Sequence, residues 1–256
     1  MKSKQGLTLG LGIFFLFTII SIPAGATPIS FSGSSGSLSA SAVFDLVGGN
    51  NLQITLTNEG SDVLVPSDLL TGIFFDITGD PLLSKISAVL ASGSSVLFGG
   101  TDPGGVVGGE WAYSNDISKS PGGGKQGIVS AGYSDIPEPS SNRFPGTNLQ
   151  GPNNVDGMQY GITSGVDNPL TGNKAVTGDN ALIKNSVVFT LGNFTLGDFT
   201  LDQMISNVYF QYGTSLDQPS FPGTPENPVP EPATMLLLGS GLIGLAGYGR
   251  KKYRKS

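Results

Sequence analysis

The sequence has no cysteine, no histidine and little charge: only 12% of its residues are Asp, Glu, Lys or Arg. Without thiol or imidazole there is no Ser-His-Asp or Cys-His nucleophile pair, no thiolate or imidazole zinc site and no haem or iron–sulfur ligation through cysteine. Structural disulfides are excluded as well. Basic residues are scarce wherever the chain is not at an end. Between residues 27 and 228 only Lys85, Lys119, Lys125, Arg143, Lys174 and Lys184 face 18 Asp and Glu, which gives 6 − 18 = −12. Such a segment repels nucleic acid and anionic membrane surfaces, so no nucleic-acid partner is expected.

The remaining basic residues bracket two apolar runs. Lys2 and Lys4 precede Leu7 to Ile22, and Ala24-Gly25-Ala26 then satisfies the small-residue rule for signal cleavage. Residues 1–26 therefore read as a secretory signal peptide, with Ala24 and Ala26 directing signal peptidase and a mature start at Thr27. At the other end, Ala233 to Gly249 is an uncharged run of 17 residues followed by Arg250, Lys251, Lys252, Arg254 and Lys255. A helix of that length spans about 25 Å, enough for a bilayer core. The basic cluster sets the topology: Arg250, Lys251 and Lys252 stay cytoplasmic and everything before Ala233 lies across the membrane.

Directly before this transmembrane segment stands Pro230-Glu231-Pro232, preceded by prolines at 219, 222, 225 and 228. Proline at every third position reads as an extended stalk over 218–228. The order of Pro-Glu-Pro, apolar helix and basic tail over residues 229–256 resembles the PEP-CTERM sorting domain of bacterial exosortase substrates. A second Pro-Glu-Pro, at residues 137–139, has neither apolar segment nor basic cluster after it and reads as an ordinary loop. The resemblance implies recognition by an exosortase in the inner membrane of a two-membraned bacterium, removal of the tail near Pro230, Glu231 and Pro232, and association with exopolysaccharide or biofilm matrix at the cell surface.

Residues 27–217 read as one exported all-β domain, a β-sandwich or jelly roll with long Gly-rich loops. Leu38, Ala40, Ala42, Phe44 and Leu46 share one face of a strand, and Leu52, Ile54 and Leu56 share one face of the next. Further strands are expected at 72–77, 86–91, 127–131, 158–163, 186–191 and 207–212. A short helix at 201–205 is announced by the capping-box spacing of Thr200 and Gln203. Residues 99–157, rich in Gly, Pro, Ser and Asn, are expected to be extended surface loops. The blocks LTGIFFDI, GGEWAY, MQYGITS, LIKNSVVFTL and FQYGTS are similar to an exosortase-dependent surface protein family of uncharacterised role. That resemblance supplies no catalytic residue.

Candidate sites in the domain are few, and none makes an enzyme the favoured reading. Gly122, Gly124 and Gly127 match G-x-G-x-x-G, but strand-like residues follow where a helix is required. Glu110 and Asp116 could serve as the acid and base of a glycoside hydrolase, although acidic residues on an exported domain are more simply a solvated surface. Trp111, Tyr113 and Tyr133 could form an aromatic platform for polysaccharide, which makes a carbohydrate-binding module the alternative function. Against it stands a Trp plugging the sandwich core. The Asn- and Asp-rich runs 153–157 and 178–180 could ligate calcium, yet these residues equally build turns, and no cofactor is expected.

Overall fold

Alternation of apolar and polar residues at period two sets the first strands of the protein, and the residues it points inward are the ones that are buried. The computed structural model describes residues 26–226, apart from residues 102, 134–143, 145, 152–154 and 156. In chain order the strands are β1 (Ile29–Ser35), β2 (Leu38–Val47), β3 (Asn51–Asn58), β4 (Leu70–Ile77), β5 (Ser84–Leu90), β6 (Ser95–Leu97), β7 (Ala112–Ser114) and β8 (Gln126–Val129). They continue with β9 (Thr147–Asn148), β10 (Ile162–Thr163), β11 (Leu182–Lys184), β12 (Ser186–Gly192), β13 (Ile205–Tyr212), β14 (Ser220–Pro222) and β15 (Thr224–Glu226). One helix, α1 (Leu201–Met204), precedes β13, and Gln203 Oε1 accepts the Thr200 N–H at 2.9 Å as the capping spacing predicts.

The strands form two sheets. The first runs β15-β1-β2-β3-β12-β5; the second runs β6-β11-β10-β4-β8-β7-β9, with β13 also paired to β4 and β14 paired to β13. Pairing is antiparallel except between β10 and β11. Phe44 on β2 meets Phe75 on β4 edge-on at 5.3 Å, and Trp111 meets Phe189 on β12 at 4.9 Å, so aromatic side chains from the two inner faces interdigitate. β4 is buried on both faces. Ile73, Phe75 and Ile77 enter this inter-sheet core, whereas Phe74 points the other way, into a second cluster with Ala112, Ile117, Val129, Tyr133 and Phe144. The nearly uninterrupted apolar sequence of β4 follows from that double burial.

Three expectations need correction. Residues 99–157 do more than form surface loops: they contribute β7, β8 and β9 to the second sheet and most of the second cluster. The strand expected at 158–163 is only Ile162–Thr163, because Met158 to Tyr160 form a turn.

The third correction concerns the stalk. Residues 220–226 are not a free extended spacer: β14 pairs with β13 of the second sheet, and β15 pairs with β1 of the first. Proline has no N–H to give a ladder, which confines it to sheet edges, and both strands lie at edges. The backbone on either side of β14 supplies bonds instead, with Gly223 N–H donating to Val208 O at 2.8 Å and Tyr212 N–H to Pro219 O at 3.0 Å. Phe221, buried against Phe210 and Tyr212 at 5.9 and 5.5 Å, anchors the segment. Gly33 on β1 lets it cross, since a Cβ there would sit 2.5 Å from Pro222 O. The folded domain thus reaches at least Glu226.

Candidate functional site

The chain enters and leaves the sandwich at one pole. The register of β1 against β15 sets Ser30 beside Glu226, and the two strands run in opposite directions. Ala26, Thr27 and Pro28 continue from the start of β1 past Glu226, and with Gly223, Pro225 and Glu226 they line one cavity of about 670 Å³. Its floor is apolar, with Phe31, Leu201 and Ile205 buried, and its rim carries Asp202, Ser206, Asn207 and Glu226. Ala26 is half-buried and packs against the main core. Of the residues expected to guide processing, Ala26 is described. Ala24, Pro230, Glu231, Pro232, Arg250, Lys251 and Lys252 lie outside the described residues, as do the expected signal peptide before Ala26 and the apolar segment 233–249. Among the described residues no helix is long and apolar enough to cross a membrane.

The aromatic platform is not formed. Trp111, Tyr113 and Tyr133 are 0%, 2% and 1% exposed, and they sit on opposite faces of the second sheet. Tyr113 on β7 and Trp111 just before it enter the inter-sheet core, whereas Ala112 between them faces the second cluster and Tyr133 packs on Phe74 behind the sheet. Its hydroxyl lies 3.0 Å from Thr71 Oγ1 in the space left by Gly72, where a Cβ would approach to 2.6 Å. A sugar-stacking ring needs an open face, and none of the three has one.

Tyr113 is instead part of a buried polar bridge. Its hydroxyl donates to Gln126 Oε1 at 2.6 Å and accepts the Leu83 N–H at 3.4 Å. Burial pushes its pKa up to about 12, opposed in part by the Leu83 N–H. Because the folded value exceeds the unfolded one, the contribution is intact below pH about 10 and is lost as pH rises toward 12. The linkage is worth roughly 3 kcal/mol across that window. Tyr113→Phe is expected to lessen the slope of the alkaline limb of the stability curve, to which buried Tyr212, also pushed up by desolvation, contributes as well; urea midpoints between pH 9 and 12 read it, and an unchanged slope would remove Tyr113 as a source.

Glu110 and Asp116 stand at the two ends of β7, with its extended residues between them. Asp116 belongs to a different group: with Asp80 and Asp76 it surrounds Lys125. The Lys125 pKa is raised, first by its hydrogen bond to Asp80 and then by the charges of Asp80, Asp76 and Asp116. Asp76 also accepts the Lys125 N–H at 2.9 Å and the Asn207 side chain at 3.0 Å, so this carboxylate ties the β4 end to the start of β13. Residues 178–180 form a turn closed by Asn180 Nδ2 donating to Ala175 O at 2.9 Å and by a Lys174–Asp179 ion pair at 3.3 Å. Of the run 153–157, Asn153, Asn154 and Asp156 lie outside the described residues. Among the described residues no three Asp, Glu, His or Cys side chains are grouped so that they could hold a metal ion.

From the pole where both ends emerge the chain continues beyond Glu226. Residues 228–252 match the family described as the PEP-CTERM protein-sorting motif. The chain carries a PEP-CTERM sorting motif. This PEP-CTERM stretch begins two residues after Glu226, the last residue of β15. The motif implies an exported protein, targeted by an exosortase and delivered to the cell envelope or surface. No curated protein and no solved structure matches the chain. The PEP-CTERM motif was legible from its tripartite order. The pairing that brings the two ends together was not, although Phe221 within the proline-rich stretch and the Ile29, Phe31 alternation were its signals.

Proposed function

We propose that the protein is a non-enzymatic surface or extracellular-matrix component. A signal peptidase cuts it after Ala26, an exosortase cuts it within or beside Pro230-Glu231-Pro232, and the acidic β-sandwich is then presented in an exopolysaccharide or biofilm setting. The observation that carries this reading is the sorting motif at 228–252. Support comes from the order of charges along the chain: the basic residues after Gly249 would hold the tail on the cytoplasmic side, leaving the folded residues outside. Glu110 and Asp116 at opposite ends of β7 do not favour a hydrolase, and the buried aromatic residues do not favour a carbohydrate-binding module.

The test is intact mass and peptide mapping of both termini on protein recovered from the native envelope and medium. The expected species starts at Thr27 and ends between Pro230 and Pro232, and its fully processed fraction falls sharply in Glu231→Lys, with precursor held in the membrane. A native product still ending at Ser256 would make the chain a permanently anchored protein and end the sorting proposal.

A further inference from the structure

We infer that the pole formed by the β1 start, β15 and the loops before β5 and α1 is a membrane-facing surface, resting on the bilayer that holds the C-terminal apolar segment. The inference rests on the sorting reading for that segment. Three observations define the surface. First, both chain ends leave there, because β1 and β15 pair with Ser30 opposite Glu226. Second, the tether is short: seven residue steps separate Glu226 from Ala233, so the pole lies within about 25 Å of the apolar segment even at full extension. A seven-residue strand such as β1 is itself roughly 23 Å long. An inverted domain would use up nearly the whole tether merely to run back along its own side.

Third, this pole carries apolar side chains that no described residue covers. Leu82 is 73% exposed in the loop leading to β5, and Phe199 is 54% exposed in the loop leading to α1. These loops belong to one surface: Thr78 N–H donates to Met204 O at 2.9 Å, and Ser84 pairs with Gly192 at the end of β12. An exposed Phe and Leu on neighbouring loops suit the interfacial layer of a bilayer, where apolar area leaves water without the backbone entering hydrocarbon. Asp202 and Glu226 on the same pole oppose electrostatic adhesion to anionic lipid, so the attachment is held by the tether and the apolar tips rather than by charge. The consequence is functional. The pole that faces the bilayer also presents the Pro230 to Pro232 cleavage region to a membrane-embedded peptidase, while the opposite pole, with the β1–β2 turn at Gly36, faces away.

The absence of native cysteine makes the test direct. The chain from Thr27 to Ser256, which keeps the C-terminal apolar segment and lacks the N-terminal one, bearing Asp202→Cys or Ser35→Cys, each labelled with the same donor fluorophore, is reconstituted into phosphatidylcholine and phosphatidylglycerol vesicles with a headgroup-linked acceptor. Both positions are exposed, at the near and far poles. Energy transfer from residue 202 is expected to exceed that from residue 35 by at least about twofold, given a pole-to-pole distance of roughly 23 Å. Leu82→Ser with Phe199→Ser is expected to narrow that ratio without changing vesicle flotation. Equal or reversed transfer in a chain that floats with the vesicles overturns the orientation alone. A chain that fails to float overturns the anchor, and with it both the sorting reading and the orientation.

Discussion

Trp111→Ala is expected to destabilise the domain by about 3–5 kcal/mol, a large part of the 5–15 kcal/mol that holds a typical domain folded. The indole is fully buried between the sheets and packs on Phe189 at 4.9 Å, so truncation removes both its transfer energy and the lining of the cavity left behind. Trp111→Phe should lose much less. Among the described residues the indole Nε1 has no hydrogen-bond partner, and a buried unpaired donor costs on the order of 1–3 kcal/mol. Phenylalanine removes that donor while keeping an aromatic ring against Phe189. Urea denaturation of the wild type and both variants, followed by tryptophan-independent circular dichroism, orders the three midpoints. A Trp111→Ala midpoint equal to the wild type would mean that the ring contributes nothing to the core.

Phe221→Ala should act more locally, with an effect near the lower end of about 3–5 kcal/mol because the residue anchors an edge. Its ring fills the space against Phe210 and Tyr212, and the prolines on either side leave few backbone hydrogen bonds to hold β14 once the ring is gone. Amide hydrogen exchange is the appropriate measurement, since it separates local opening from global unfolding. Protection is expected to collapse at Phe221, Gly223 and Thr224 while β2, β3 and β12 keep theirs. Undiminished protection at Gly223 would show that the sheet edges, rather than the Phe221 ring, hold the C-terminal segment.

These two residues also show where reading by pattern succeeded and where it stopped. Period-two alternation correctly anticipated β2 and β3 and the faces they bury, because a half-buried strand leaves its mark locally in the order of side chains, and strands were expected where β12 and β13 stand. The sorting motif was legible for the same reason: its parts are contiguous, and each acts through composition. The short strands β7, β9 and β11 were not, since two or three residues carry no period and their burial is imposed by neighbours distant in sequence. Trp111 could equally have been a ligand platform or a core plug. Only the packing of Phe189 across it, 78 positions along the chain, distinguishes the two.

The proline-rich segment 218–228 gives the sharpest contrast. Its spacing describes a backbone that cannot donate at every third position and favours extension, and the chain is extended at 220–222 and 224–226. Extension suits a free stalk and an edge strand alike. The choice lay with Phe221, which had a buried site between Phe210 and Tyr212, and with Gly33, which left room for the chain to cross from one sheet to the other. Export and sorting follow from short contiguous signals read by other enzymes, so they are written linearly in the chain. The position of the two ends at one pole follows from pairing between β1 and β15, nearly 200 residues apart, and long-range pairing depends on the shape of everything folded between them.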